Sequence, residues 1–525
     1  MSKLNFDPNQ LSQEGIEHLN QGNFIESKKI FEKLLSSFPK NLDLINLLGF
    51  VNLQLKFFNE AVKIYSESLA LNPNQVEVLF NRAIANRNLR NLSDALNDYE
   101  KITNLAPNLI DSYINKSAIY EDMNKFSEAI SEINKAIDLD RENFKLFQNR
   151  GNLFQAIFNY ELANKDFKKV LELSPNNIEG LQSYANNLGY LNSNDDEVIN
   201  AYKIALKLDP NNSLSLKNYA SHLLYLKKFD EGWINFEKGW NYDKNKFIPD
   251  FAKEIPMLKS LSKDKKILIW GDQGIGDQII YSSLLNDLPS KNKITIALDD
   301  RLIKIYENSF SHLKFKGFSE ISNSKESFDA QMPLFFLCKI YRNSLEAFKK
   351  QKPFLNINVN RQNEFKVKFE NKKKKVCGLS WKSKNPKIGY AKSIDLIDLA
   401  DLFKIKDIVF FDLQYNSDTQ EIEKFQHKIN NSLQQIDNLD KFNDIEGLLA
   451  FIQTTDFVIT TSNVTAHLAG SIGKKTYLLI PYGLGNIWYW HNESKSLWYP
   501  SIKIFKQDKP HDWSGALRKV IRDIS

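Results

Sequence analysis

The sequence predicts a helical solenoid followed by an α/β region of two Rossmann-like lobes. A small residue and a proline recur every 34 residues in the first half, and from Lys266 onward short β-rich runs alternate with helical patterns. A glycine turn joins the first of those runs to a helix. At 525 residues the chain exceeds what one core fills, roughly 250 to 300 residues, so two or three domains are expected.

The composition, 42% hydrophobic and 26% charged, is that of a soluble globular protein. A net charge of +6 is small for this length and argues against a dedicated nucleic-acid binder. Cys338 and Cys377 form no metal or redox spacing, so a reducing compartment is expected. The opening MSKLNFDPNQ lacks the apolar core of a signal peptide, and no apolar run reaches the ~20 residues that cross a bilayer. These features predict no transmembrane segment and a cytoplasmic location, free or peripheral at the inner face of a membrane.

The array comes first. Ala61, Ala95, Ala129 and Ala163 are 34 residues apart, and Pro39, Pro73, Pro107, Pro175 and Pro210 keep step, with Arg141 in the empty slot and one residue gained before Pro210. Small residues let paired helices approach closely, and proline, lacking an amide donor, stops each second helix. The period resembles the tetratricopeptide repeat, and about seven units fit residues 10–245. Such an array implies a protein or peptide partner on its face without naming it.

The runs KILIW (266–270), ITIAL (294–298), KKVCGLSW (374–381), DIVFFDL (407–413), DFVITT (456–461) and TYLLIP (476–481) follow, with helical patterns between most of them. Parallel strands with crossover helices are predicted, in lobes 264–355 and 356–525 with a joint over 354–375. Tandem open sheets place a crevice at their strand ends, so the loops after KILIW, GLSW and VITT are the places to look.

The first of these loops reads WGDQGIGDQIIY, with Gly271, Gly274 and Gly276. Ile279 stands where a dinucleotide fingerprint needs glycine, and Asp277-Gln278 follows where a nucleotide-triphosphate loop needs Lys and Ser or Thr. What remains is a tight turn whose amides face the crevice, with Gly274, Gly276 and Gln278 as candidate acceptor contacts. Asp277 sits near a helix start, as a cap or as a carboxylate exposed at the cleft.

This G-I-G-D turn, with GLSWKSK (378–384), AKSIDL (391–396), FFDLQY (410–415), DIEGLLAFIQTTDFVITTSNVTAHLAGSIGKKTYLLIPY (444–482) and SLWYPSIKIFKQ (496–507), resembles the bacterial heptosyltransferase-like glycosyltransferases of GT-B fold, especially relatives with an N-terminal repeat array. The resemblance covers almost the whole chain. It implies a nucleotide-diphosphate sugar as donor substrate, no cofactor and no metal, and a glycan or protein hydroxyl as acceptor.

In the second lobe, TTSNVTAHLAGSIG reads as a strand end, a polar cap and a short helix. Ser462, Asn463, Val464 and Thr465 offer donors for a diphosphate at the helix start, and His467 shares a face with Asn463. The resemblance implies that His467 and a basic residue at each of Lys382 and Lys392 face the donor phosphates. Trp381, Gln414 and Tyr482, at other strand ends, are candidates for nucleotide or sugar. Trp488, Tyr489, Trp490, Trp498 and Tyr499 form either a stacking surface or core. Relatives usually carry an acidic residue where this chain has Ser462, and many carry Arg where it has Lys392.

The expected chemistry is inverting, metal-independent transfer, with Asp277 as general base and the lysines and helix amides holding the departing diphosphate. The Asp-x-Asp pair Asp138/Asp140 closes a solenoid repeat, which is no place for a metal-bound sugar nucleotide. Two alternatives stay open: an intracellular protein O-glycosyltransferase like the O-linked N-acetylglucosamine transferase, and a catalytically silent scaffold.

Overall fold

The computed structural model describes residues 7–258, 261, 265–272, 274–289, 293–367 and 374–525. The chain divides into two compact units, Met1–Asn187 and Leu188–Ser525.

In the first unit, helices of 13 and 14 residues alternate from Pro8–Asn20 to Tyr160–Leu173, followed by the start of Ile178–Leu191. The periodic alanines Ala61, Ala95, Ala129 and Ala163 are fully buried, as are the side chains one turn later, Tyr65, Tyr99, Ile133 and Phe167. The helices Phe58–Leu71, Leu92–Leu105 and Tyr160–Leu173 each end two residues before a proline. Proline cannot donate the next amide and forces its predecessor out of helical geometry.

Two further periods in this unit are invisible to hydrophobic patterning. The left-handed backbone falls at Gly22, Lys56, Arg90, Asn124 and Phe158, one per repeat at the turn between paired helices. Of these, Gly22 alone adopts it without steric cost. Three successive repeats also pair a base of the first helix with an acid of the second: Arg82 with Asp98 at 2.6 Å, Lys116 with Glu132 at 3.4 Å, and Arg150 with Asp166 at 2.7 Å. Arg82 and Arg150 bind both carboxylate oxygens. Such pairs fix how two helices register, because a buried charge left alone is costly.

The second unit contains helices Asp195–Leu208, Ser213–Tyr225 and Phe229–Phe247 and two sheets. The first sheet is β1 (Lys266–Trp270), β2 (Lys293–Leu298), β3 (Lys314–Gly317) and β4 (Ala330–Pro333), in the order β3-β2-β1-β4. The second is β5 (Lys375–Ser380), β6 (Ile408–Asp412), β7 (Phe457–Thr461), β8 (Thr476–Ile480) and β9 (Ile502–Lys506), in the order β6-β5-β7-β8-β9. Every ladder is parallel. Strand order reverses at β1 and at β5, so a crevice opens beside each at the carboxyl ends. Strands β3, β4 and β9 add to those read from sequence. KFKG and AQMP are too short to show a period.

One hydrophobic core runs through both sheets and into helix Phe229–Phe247. Trp233 donates its indole N–H to the Arg342 carbonyl at 2.9 Å, and Trp240 packs on Trp270, Phe335 and Phe336. The predicted joint over 354–375 contains helix Val359–Lys366, whose Phe365 packs edge-on against Phe451 beside the second sheet; residues 368–373 lie outside the described residues. Among the described residues no helix is long and apolar enough to cross a membrane.

Removing one partner of a buried ion pair strands the other, so Asp166→Ala is expected to lower stability by about 3 kcal/mol. Lys56→Gly, at an exposed left-handed position, should instead raise it by about 1 kcal/mol. Urea unfolding of the full chain checks both; shifts of the opposite sign would show that neither feature carries strain or registration.

Candidate functional site

The turn after β1 is built by close approaches. Gly271 donates to the Ala297 carbonyl at 2.8 Å and leaves room for Gln278, whose side chain lies 2.7 Å from where a Cβ would stand. Gln278 is buried and its Oε1 accepts from the Asp299 amide at 2.9 Å. It braces the turn against β2, so the expected acceptor contact is corrected to a structural one. Gly274 is exposed and precedes helix Ile275–Ser282. Gln273 lies outside the described residues.

Asp277 combines both readings left open. As the third residue of helix Ile275–Ser282 it accepts the Gly274 amide at a long 3.4 Å. It retains partial solvent access, yet the protein packed around it pushes its carboxyl up to about 6. The Gly274 amide opposes that rise, Asp272 adds to it, and Lys392 opposes it.

Gly276 lies against the other sheet's helix, Val464–Ser471. A Cβ there would stand 2.9 Å from Cδ2 and 3.2 Å from Nε2 of His467. The imidazole has Nδ1 at 3.1 Å from the Tyr499 hydroxyl and Nε2 at 3.4 Å from that of Tyr489, and it stacks on Trp490. Burial, with the charge of Lys392, lowers its pKa to about 3. His467 is therefore neutral and enclosed: with both nitrogens engaged by tyrosyl hydroxyls and its ring against Gly276, it fills the joint between the two sheets, where the resemblance implied a side chain facing the donor phosphates.

The cap of helix Val464–Ser471 is also largely satisfied. Asn463 Oδ1 accepts from the Thr465 amide and the Thr460 hydroxyl, each at 3.0 Å, while its Nδ2 donates to Ser380 Oγ at 2.8 Å and the Lys382 carbonyl at 3.1 Å. That side chain ties the ends of β5 and β7 together. Ser462 accepts the Trp490 indole N–H at 2.8 Å. Both are corrected from free donors to internal supports. Val464 retains partial access, and the buried Thr465 hydroxyl has no hydrogen-bond partner among the described residues.

Lys392, at the end of helix Gly389–Lys392, is 5% exposed. Its carbonyl accepts from the Thr461 hydroxyl, and its stem packs against Gly485, whose φ of +90° suits glycine and whose Cβ would stand 2.8 Å from Lys392 Cγ. Burial lowers its pKa and the charge of Asp277 opposes that shift. Among the described residues its ammonium has no hydrogen-bond acceptor and no carboxylate within ion-pair distance. Lys382 differs: it pairs with Glu421 at 2.7 Å on the wall of a cavity of about 470 Å³ that also has Lys424 and Lys428.

The remaining candidates make internal contacts. Gln414 is buried and its Oε1 accepts from Ser380 Oγ and the amides of Trp381 and Lys382 at 2.7–3.1 Å. Trp381 is wholly buried in the core flanking the second sheet. Tyr482 directs its hydroxyl to the Leu191 carbonyl at 3.3 Å. Of the aromatic cluster, Tyr489, Trp490, Trp498 and Tyr499 are buried, and Trp488 packs on Trp233 at 5.3 Å. The cluster is core. Sequence reading passed over Asp272, buried beside Asp277, and Gly485, for which the glycine pair Gly483 and Gly485 after β8 was the available signal.

The tetratricopeptide repeat family matches residues 110–143 and 144–177, so the chain carries tetratricopeptide repeats. Protein FlbA of Caulobacter vibrioides is 24% identical over 317 residues, covering 55% of this chain and 52% of that protein. The chain thus spans about half the length of this curated relative. A tetratricopeptide repeat protein from Parabacteroides merdae is 15% identical with a TM-score of 0.38, covering 46% of this chain and 94% of that one. The C-terminal part of a repeat protein from Cytophaga hutchinsonii is 17% identical with a TM-score of 0.39, covering 44% and 93%.

Gly276→Ala should cost about 1–3 kcal/mol through overpacking. In the double variant with His467→Ala the clash disappears, so the two effects should couple by more than ~0.5 kcal/mol in a thermal double-mutant cycle. Simple additivity would show that the two residues do not share this contact.

Proposed function

We propose that the α/β region is a metal-independent inverting glycosyltransferase of GT-B type, with residues 264–355 as the acceptor lobe and 356–525 as the nucleotide-sugar lobe. The observation that carries this reading is Lys392, a largely buried lysine whose ammonium is unpaired among the described residues and feels the charge of Asp277 from the other sheet. A cation on a largely buried side chain is disfavoured unless an anion meets it. A diphosphate would supply the missing charge, with the Thr465 hydroxyl, unpartnered among the described residues, as a further donor.

In the proposed reaction the acceptor hydroxyl attacks the anomeric carbon and passes its proton to the Asp277 carboxylate. As that bond forms, the bond from the anomeric carbon to the phosphate oxygen breaks, and its electron pair leaves on the nucleoside diphosphate beside Lys392. A carboxyl pushed up to about 6 holds a proton more readily near neutral pH than an ordinary aspartate and so is a better general base. The repeat array in this reading binds a protein or peptide partner, or the acceptor itself.

Lys392→Met should abolish binding of UDP, ADP and GDP in a melting-temperature screen, where a ligand at 100 times its Kd adds about 2.7 kcal/mol. Asp277→Asn should keep that binding and lose ~10²-fold or more in turnover. If no nucleotide diphosphate shifts the wild-type melt, the transferase reading fails and a silent scaffold replaces it. Turnover should also fall as pH drops through about 6, because only the ionised Asp277 can accept a proton. A profile flat from pH 7 to 5 would exclude it as the base.

A further inference from the structure

The first unit has a cavity of about 450 Å³ between successive repeats, walled by Leu47, Phe50 and Tyr65 and edged by Asp43, Glu77 and Asn81. Its polar groups belong to rows. Asp43, Glu77 and Asp111 are the second residues of helices Leu42–Gln54, Val76–Asn88 and Ile110–Asp122. Asn81, Asn115 and Asn149 are the sixth residues of Val76–Asn88, Ile110–Asp122 and Phe144–Ala156. Each row therefore repeats its position on successive helices. Asp43 and Glu77 are exposed, whereas the asparagines are partly buried. Tyr65 lines the cavity at 1% exposure, and its hydroxyl meets no partner at hydrogen-bond geometry, with the Asn81 amide beside it.

We propose that this groove binds an extended polypeptide segment rich in lysine or arginine. Carboxylates one repeat apart take its cationic side chains, the asparagine amides take backbone N–H and C=O groups of an unpaired strand, and the Leu47–Phe50 wall takes a small apolar side chain. Asparagine offers a donor and an acceptor together, which suits a peptide backbone. The acids lie on the exposed rim, so they can pair with a ligand without first losing a buried partner. Nucleic acid is disfavoured, because its phosphates would face carboxylates. The proposal rests on the array being a partner-binding surface and is independent of the transferase reading.

Fluorescence anisotropy on the full chain tests it, with short labelled peptides of repeated Lys-Ala-Ser, Gln-Ala-Ser and Glu-Ala-Ser. The lysine peptide should bind more tightly than the other two. Its Kd should rise roughly tenfold or more in Asp43→Asn/Glu77→Gln, and it should weaken with added salt, as exposed charge pairs do. Those substitutions are on exposed side chains, and circular dichroism is the control for folding of the repeats in the variant. Equal binding of all three peptides would overturn the basic preference while leaving a peptide-binding array. No binding of any peptide would overturn the array reading as well. Neither result touches nucleotide binding at Lys392, which is read separately by the melting screen.

Discussion

Gly276 has no side chain because the imidazole of His467 occupies the space where one would stand. That approach brings the start of helix Ile275–Ser282, from the first sheet, onto helix Val464–Ser471, from the second, and one hydrophobic core continues across the two. The imidazole can fill this place because it is neutral, held by two tyrosyl hydroxyls and stacked on Trp490. A charged ring there would lack a counter-ion in an aromatic box. The position of Asp277, one residue after Gly276, depends on this contact, and so does its electrostatic coupling to Lys392.

Charges in this protein divide into those with internal partners and those without. In the first unit Arg82, Lys116 and Arg150 each have a carboxylate, and in the second Lys382 has Glu421, Lys441 has Asp412 and Arg342 has Asp287. These pairs register helices and loops. Lys392 is largely buried and has no such partner among the described residues. Its environment disfavours the charged form, Asp277's disfavours the ionised form, and each charge partly offsets the other's burial.

The repeats and most strands were legible because their signals are local and periodic: alanine and proline at 34-residue spacing, and β-branched runs such as KILIW and DFVITT. Strands of four residues were not, since a period needs length. Site residues were legible as positions but not as roles. Ser462, Asn463, Gln414 and His467 all stand at strand ends or a helix start, as read, yet their polar atoms are spent on Trp490, Ser380, backbone amides and tyrosines. Those partners come from tens of residues away, and no local pattern announces them.

By itself the sequence determined the alternation of helices in the array, the parallel α/β character of the second half, and the loops at which a crevice would form. Those follow from side-chain size, period and turn chemistry within a few residues. Only the tertiary structure decided which polar groups are satisfied, because satisfaction depends on distance in space. It gave His467 to the joint, Lys382 to Glu421 and Gln414 to the β5 loop, and it left Lys392 facing Asp277's charge across two sheets.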